Sequence, residues 1–251
     1  MPSRGNDEVR LYRELAPWFH LLTAPASYVE EAELYGNLLV EMAVGPVSTV
    51  LELGSGGGNN ASHLKARFEL TLVDRSPEML ELSRGLNPEL EHIEGDMRSV
   101  RLGRTFDGVF VHDAIAYILT EPDLEAVFET VAVHCRPGGS AVLVPDYVQE
   151  TFAPRTSHGG HDSEDGERGL RYLEWVRADR SDATRHVVDF AYVLREGEDV
   201  RVEQDRHVCG LFPRETWLRG LDAAGFDLEV IEPRFDDEPT GQVVFACRRP
   251  G

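Results

Sequence analysis

The sequence has few cysteines, few basic residues and no long apolar run. Its three cysteines, Cys135, Cys209 and Cys247, are widely spaced, which fits reduced thiols better than a disulfide framework or a zinc site. No apolar run approaches the roughly 20 residues that a membrane span needs, and the N-terminus is too polar for a signal peptide. We therefore expect a soluble, cytoplasmic globular protein without a membrane partner.

The shortage of basic residues limits the partners further. The 251 residues include 25 Lys and Arg against 45 Asp and Glu, which gives a net charge of −20. Such a surface repels phosphate backbones and anionic membranes, so we do not expect a nucleic-acid partner. A small anionic ligand stays open, because a local arginine cluster overrides the field at short range.

Short apolar runs alternate with helical patterns in the first part of the chain. Strand patterns occur at 47–54, 69–74, 90–96, 106–113 and 139–147. Helical patterns occur at 76–86, where Ser76 is a typical N-cap followed by Pro77, and at 121–139. This alternation predicts a parallel sheet covered on both faces by helices.

The pattern changes after Tyr147. The segment 155–169 is polar, acidic and rich in glycine, which predicts a mobile loop, and three charge-interrupted strand patterns follow it. We therefore predict an α/β protein with a doubly wound, Rossmann-like sheet and an inserted small antiparallel β-sheet. Residues 1–150 and 213–251 form the main domain in this interpretation, and 151–212 form the insertion.

The stretch "VLELGSGGGNN" at 50–60 predicts a ligand-binding turn. Glycines after a first strand let the backbone approach a ligand, and the next helix N-terminus offers free N–H groups. A dinucleotide fingerprint, G-x-G-x-x-G, would need glycine at position 59, where this chain has Asn59. The alternative is a simple tight turn.

Acidic residues follow the next two strands. Asp74 ends the second strand about 20 residues after the turn, where a carboxylate can bind both hydroxyls of a ribose. Asp96 and Met97 follow the third strand and fit an exocyclic amine and the flat face of an adenine. Either acid alone fits a solvated loop equally well, but three signals at successive strand ends indicate a nucleoside ligand.

These motifs, with "LTLVDRSPEMLELSR", "CRPGGSAVLVPD" and "LDAAGFDLEVIE" in the same order, resemble the class I S-adenosylmethionine-dependent methyltransferases over nearly the whole chain. The resemblance implies S-adenosylmethionine as cofactor. Gly54, Ser55 and Gly56 would line its methionine portion, Asp74 the ribose, and Asp96 with Met97 the adenine. The cofactor-binding residues implied are Phe19, Gly54, Ser55, Gly56, Asp74, Arg75, Asp96, Met97 and His112.

A narrower resemblance rests on "AIAYI", "VPDYVQETF" and "DRHVCGLFPRETWLRGLDAAGF". These stretches are similar to N,N-dimethyltransferases that act on amino groups of nucleotide-linked deoxysugars, in which an inserted sheet covers the substrate. The likeness implies a small-molecule methyl acceptor, Tyr117 and His207 as catalytic candidates, and Tyr12 and Tyr147 at the substrate. The 155–169 segment departs from the family pattern, and Asp146 with Tyr147 replaces a tryptophan pair.

Other interpretations stay open at this point. The sequence also fits an O-methyltransferase that acts on a small phenol or acid. It fits equally a protein that binds S-adenosylmethionine without transferring its methyl group. His207 fits a surface position on a strand edge as well as a catalytic one, and Tyr12 and Phe19 fit helix packing. His158 and His161 lack further ligands at a recognisable spacing, so no metal is expected. A homodimer is a further expectation.

Overall fold

A seven-stranded sheet runs through the structure, a computed structural model that describes residues 9–233 and 242–251. Its strands are β1 (Thr49–Leu53), β2 (Glu69–Asp74), β3 (Glu91–Glu94), β4 (Phe106–His112), β5 (Cys135–Val144), β10 (Asp227–Ile231) and β11 (Val244–Arg248). Their order across the sheet is β10-β11-β5-β4-β1-β2-β3. The predicted Rossmann-like sheet is therefore present.

The parallel sheet predicted for the first part of the chain is confirmed, and two C-terminal strands make the complete sheet mixed. Strands β3, β2, β1, β4 and β5 pair in parallel, whereas β11 is antiparallel to both β5 and β10. Parallel neighbours need a crossover connection, but β10 and β11 are consecutive along the chain and pair as antiparallel neighbours without one.

Helices cover both faces of this sheet. They are α1 (Phe19–Leu22), α2 (Val29–Met42), α3 (Asn59–Leu64), α4 (Pro77–Leu86), α5 (Glu121–His134) and α6 (Arg214–Ala223). The predicted N-cap of α4 is confirmed, because the Ser76 hydroxyl accepts a hydrogen bond from the Met79 N–H at 3.1 Å. Two groups of buried apolar side chains fill the spaces between the sheet and the helices.

The helix predicted within 121–139, with Pro137 and the two following glycines as its stop, ends slightly earlier than predicted. Helix α5 ends at His134, since Cys135 has extended backbone angles (φ −84°, ψ 126°) and begins β5. Pro137 cannot donate a helical hydrogen bond, and Gly138 has a φ of 73°. Strand β5 therefore begins four residues before the predicted position 139.

A second, four-stranded sheet follows the central one along the chain. It consists of β6 (Arg155–Gly159), β7 (Arg168–Ala178), β8 (Arg185–Glu196) and β9 (Asp199–Gly210), all antiparallel in this order. The loop predicted at 155–169 is wrong at both ends, since residues 168–169 already belong to β7. Residues 155–159 instead form β6, whose backbone pairs with the edge of β7, and Gly160 (φ 117°) begins the turn.

The N-terminal segment packs against the inner face of the small sheet. Val9, Leu11 and Trp18 share a buried cluster with Leu170 of β7 and Tyr192 of β8. This packing places the segment between the two sheets, beside the carboxyl ends of the central strands. In the range 9–233 and 242–251, no helix is long and apolar enough to cross a membrane.

Candidate active site

A cavity of about 740 Å³ lies between the carboxyl edge of the central sheet, the small sheet and the N-terminal segment. Each of these three parts of the chain contributes wall residues. The predicted site residues that the structure brings to the wall are Tyr12, Phe19, Gly54, Ser55, Gly56, Asp74, Arg75, Asp96, Met97, His112, Tyr117 and His207. Residues predicted from distant parts of the sequence thus meet in one place.

Tyr147 is the predicted site residue that does not line the cavity. Its ring contacts Phe152 and His186 edge-on, with centroid distances of 5.4 and 5.3 Å, and the Arg155 guanidinium lies over its face. An aromatic ring gains most by packing among other rings, so Tyr147 turns into this cluster. The neighbouring Asp146 lines the cavity instead.

The glycine turn after β1 leaves no space for a side chain at Gly54, Gly57 or Gly58. Gly54 has a φ of 75°, and a Cβ atom there would lie 2.4 Å from Ala114 Cβ and 2.7 Å from Met97 Cε. Gly58 (φ 78°) caps α3, and Asn59 is the first residue of that helix. The Asn59 amide donates to the Thr23 carbonyl at 3.2 Å, so it ties the N-terminal segment to the turn.

Asp74 at the end of β2 is held by backbone donors. Its carboxylate accepts hydrogen bonds from the N–H groups of Gly56 and Ser76, both at 2.8 Å. Burial raises the pKa of Asp74, although these backbone hydrogen bonds oppose the shift. The carboxylate is therefore fixed in orientation beside the glycine turn, with further lone pairs for a ligand hydroxyl.

Glu52 on β1 has an unusual environment for a carboxyl group. It is 3% exposed, and its Oε2 atom has no hydrogen-bond partner among the residues that the structure describes. Burial, followed by the charges of Asp74 and Glu31, raises the pKa of Glu52 to about 8. A buried carboxyl without a donor on the wall of a cavity fits a ligand amino group.

The third strand end carries an ion pair. Arg98 donates through its side chain to both carboxylate oxygens of Asp96, at 2.6 to 3.2 Å. The Arg98 side chain holds the pKa of Asp96 below its usual range. A carboxylate has about four acceptor positions, so a ligand amine would share Asp96 with this arginine.

His112 ends β4 and is buried near the turn. Its Nδ1 atom lies 3.2 Å from the Asn60 amide nitrogen. Its Nε2 atom lies 3.2 Å from an Asp113 carboxylate oxygen and 3.8 Å from one of Glu31. His112 thus connects the carboxylates near the cofactor turn with those on the opposite side of the cavity.

Four side chains form a line of hydrogen bonds on that opposite side. The hydroxyl oxygens of Tyr12 and Tyr117 lie 2.6 Å apart, and the Tyr117 hydroxyl lies 2.8 Å from His207 Nδ1. His207 Nε2 is 3.2 Å from Asp205 Oδ2. His207 is only 4% exposed, so the interpretation as a surface histidine is wrong.

Burial keeps the tyrosines of this line protonated. It raises the pKa of both Tyr12 and Tyr117 well above the usual value. Both side chains therefore carry an O–H group at neutral pH. A hydroxyl can accept one proton while it gives up another, so the line has the chemistry of a proton relay.

Three further carboxyl groups line the same side of the cavity. They belong to Asp113, Asp146 and Glu174. Burial, then the charge and hydrogen bond of Asp113, raise the pKa of Asp146 well above its usual range, and Glu174 adds to this effect. Like charges nearby disfavour ionisation of Asp146, and a bound cation would relieve the repulsion.

Sequence reasoning missed some of these residues. Asp205 had a local signal, because residues two apart on a strand share one face and His207 had already been selected. Glu174 had none, since it is one of many acids on charged strands. Asp113 follows β4 with a φ of 39°, which is uncommon for a residue other than glycine.

The histidines of "HGGHD" lie away from this cavity. His158 on β6 and His161 after it are both exposed. Over residues 9–233 and 242–251, no group of three or more His, Cys, Asp or Glu side chains is arranged to hold a metal ion.

Comparison with known proteins adds a family to this geometry. Residues 50–139 match the family described as a methyltransferase domain. The dTDP-3-amino-3,4,6-trideoxy-alpha-D-glucopyranose N,N-dimethyltransferase of Streptomyces venezuelae is 31% identical over 220 residues, which cover 87% of this chain and 90% of that protein. Trans-aconitate 2-methyltransferase of Enterobacter sp. (strain 638) is 34% identical over 118 residues, 45% of this chain and 46% of that one.

A solved structure is similar over almost the whole length. The crystal structure of Streptomyces venezuelae DesVI superposes with a TM-score of 0.81 at 25% identity and covers 95% of this chain and 98% of its own. The likeness therefore includes the small sheet as well as the central one.

Proposed function

The chain belongs to the class I S-adenosylmethionine-dependent methyltransferases, and we propose that it methylates the amino group of a sugar-like small molecule. The observation that carries this proposal is the group of neighbouring carboxyls, Asp113, Asp146 and Glu174, on the cavity wall. A basic amine is positively charged at neutral pH and is attracted there, whereas an acid is repelled.

The residues around the glycine turn fit the cofactor. We propose that Gly54, Ser55 and Gly56 hold its methionine portion, and that the orphaned Glu52 carboxyl receives its amino group. Asp74, already oriented by two backbone N–H groups, would accept from the ribose hydroxyls. When bound, S-adenosylmethionine supplies an electrophilic methyl group.

The other predicted cofactor residues complete this half of the cavity. Asp96 and Met97 stay our candidates for the adenine, and Arg75 lies on the same wall. Phe19 lies close to Gly57, where a Cβ atom would approach its ring to 2.8 Å, and would close the site over the cofactor. We propose that His112, at the end of β4 on the cavity wall, lies beside the cofactor.

The catalytic role falls to Tyr117 and His207. An amine that arrives as an ammonium ion must lose a proton before its lone pair can attack. The Tyr117 hydroxyl and His207 Nδ1, 2.8 Å apart, offer an acceptor for that proton inside the cavity. The remaining contribution of the enzyme is alignment of the amine with the methyl group, which supplies several kcal/mol of the barrier.

The identity of the acceptor is inferred from a relative. The Streptomyces venezuelae protein that is 31% identical acts on a dTDP-linked amino sugar by its name, and a nucleotide-linked amino sugar is our proposed acceptor class. The insertion 151–212 would cover it, with Tyr12 in contact from the N-terminal segment. A homodimer and the exclusion of nucleic acid stay predictions from the sequence.

A panel of acceptors tests this function. Protein and labelled S-adenosylmethionine are incubated with a dTDP-linked amino sugar, the same sugar with a hydroxyl in place of the amine, trans-aconitate and a simple phenol. We expect label on the amino sugar alone, with the mass of one or two added methyl groups. Label on the acid or the phenol but not on the amine would contradict the proposal, and tight cofactor binding without any transfer would favour a non-catalytic role.

A further inference from the structure

The line of hydrogen bonds across the acceptor side ends at a buried carboxylate, Asp205. It is 8% exposed and lies on β9 two residues before His207. Its Oδ2 atom is 3.2 Å from His207 Nε2 and accepts the Leu11 N–H at 2.9 Å, while Oδ1 accepts the Arg206 N–H at 3.0 Å. Every nearby group that Asp205 meets is thus a donor or a possible donor.

These contacts determine the tautomer of His207. Burial alone would raise the pKa of Asp205, but the hydrogen bonds from His207 and the backbone hold it below its usual range, so the carboxylate is ionised. An ionised carboxylate only accepts hydrogen bonds. The neutral imidazole must therefore carry its proton on Nε2, and Nδ1 must be the lone pair that faces Tyr117.

The tautomer in turn fixes the direction of the remaining hydrogen bonds. Because Nδ1 accepts, the Tyr117 hydroxyl donates to it at 2.8 Å, and Tyr117 then accepts from Tyr12 at 2.6 Å. The Tyr12 oxygen is left with lone pairs toward the cavity. The opposite tautomer would reverse each bond and present an O–H group, which cannot take a proton from an amine.

We propose that Asp205 is a positioning residue that fixes the Nε2–H tautomer of His207 and thereby directs proton transfer away from the methyl acceptor. This inference rests on the proposed function. One N–H bond of the acceptor ammonium breaks and its proton goes to the Tyr12 oxygen. The Tyr12 proton passes to Tyr117 and the Tyr117 proton to His207 Nδ1, so the amine keeps a lone pair and the positive charge moves to the imidazole beside Asp205.

A purely structural role for Asp205 makes a different prediction. The same carboxylate holds the Leu11 N–H, and the N-terminal segment reaches the cofactor turn, where the His20 ring lies 3.1 Å from the Gly57 carbonyl oxygen. If anchoring were its role, loss of Asp205 would loosen the segment and weaken S-adenosylmethionine binding. If Asp205 acts on His207, loss of Asp205 changes the His207 tautomer and the methylation rate but leaves S-adenosylmethionine affinity unchanged.

The tautomer is measured directly by NMR of protein labelled with ¹⁵N-histidine. The His207 signals are assigned by their loss in His207→Gln. We expect an Nε2–H imidazole in the wild type and loss of this single tautomer in Asp205→Asn. Asp189→Asn is the matched control, because Asp189 lies on the adjacent strand and pairs with Arg177 and Arg206 away from the cavity wall. An Nδ1–H imidazole in the wild type, or an unchanged spectrum in Asp205→Asn, would overturn the proposal.

Single-turnover methylation and calorimetry complete the test. Asp205→Asn should lower the rate by about 10²-fold to 10⁴-fold, the range for general acid–base catalysis and for loss of a carboxylate that orients a catalytic histidine, with S-adenosylmethionine affinity unchanged. If S-adenosylmethionine affinity and rate fall in parallel, Asp205 anchors the N-terminal segment and does not position His207. If no amine is methylated by the wild type, the proposed function fails and the NMR result still decides the tautomer; if methylation proceeds with the reversed tautomer, only the role of Asp205 fails.

Discussion

The two halves of the cavity are built in different ways. Most of the cofactor half is formed by residues 52–97, which are close in sequence, and its central feature is a glycine turn with no room for a side chain at Gly54. The acceptor half is formed by side chains that are far apart, since Tyr12 and Tyr117 are separated by 105 positions and Leu11 and Asp205 by 194. The cofactor half therefore depends on backbone geometry, whereas single substitutions can alter the acceptor half without changing the fold.

The same contrast holds for the hydrogen bonds. Backbone N–H groups hold Asp74 in the cofactor half, but side chains hold each other across the acceptor half. Each half also has a carboxyl whose pKa burial raises, namely Glu52 and Asp146. We expect Glu52 to meet the cofactor and Asp146 to meet the acceptor, so substitutions at the two should have separate effects.

Among substitutions that should affect only one half of the cavity, Asp74→Ala has the largest expected effect. It should weaken S-adenosylmethionine binding by roughly 1.5–3 kcal/mol, the range for hydrogen bonds to a charged group, and leave acceptor affinity nearly unchanged. Isothermal titration calorimetry on the folded variant measures this. Glu94→Ala is the control, because Glu94 pairs with Asp74 across the sheet but is exposed. Equal cofactor affinity in wild type and Asp74→Ala would remove Asp74 from the ribose site.

A smaller effect is expected from Asp146→Asn in the acceptor half. It should raise the KM for a basic acceptor about tenfold, close to the value of one hydrogen bond to a charged group, without a change in cofactor affinity. A cationic acceptor favours the ionised carboxylate, so in the wild type its affinity should improve as pH rises through the raised pKa of Asp146. This rise of acceptor affinity with pH should be absent in Asp146→Asn and present in Asp162→Asn, an exposed control. If the rise persists in Asp146→Asn, Asp146 is not the group that meets the acceptor.

A third expected effect concerns the cofactor-free protein and Glu52. Its pKa is about 8 in the folded state and about 4.3 in an unfolded chain. The folded state therefore binds the extra proton between these values, and the free energy of unfolding should fall as pH rises through that window, by at most about 1.4 kcal/mol per pH unit. Denaturant titrations should show a flatter pH dependence for Glu52→Gln than for the wild type or the exposed control Glu94→Gln. Parallel curves for all three would show that Glu52 is not protonated on folding.

The cofactor half was easier to predict from the sequence than the acceptor half. The glycine turn, Asp74 and Asp96 carry local signals, because they follow recognisable strands at regular spacing, and the structure places them on one cavity wall. The acceptor half carries weaker signals: Asp205 shares a strand face with His207, but the packing of residues 9–22 decides that Tyr12 and Leu11 meet these side chains. Tyr147 was predicted to lie at the substrate, but its ring packs against Phe152 and His186. Its neighbour Asp146 lines the cavity instead, and the sequence alone did not distinguish the two.

The central claim is that the acceptor half moves a proton while the cofactor half only binds. Single-turnover methylation against pH for wild type, Tyr117→Phe and His207→Ala tests it most directly, with Tyr172→Phe as the control outside the cavity wall. We predict that both cavity variants lose about 100-fold or more in rate near neutral pH, the low end for general acid–base catalysis, keep wild-type cofactor affinity, and recover part of the rate as pH rises. Superimposable profiles for the wild type and both variants would contradict the account and leave alignment alone as the source of catalysis.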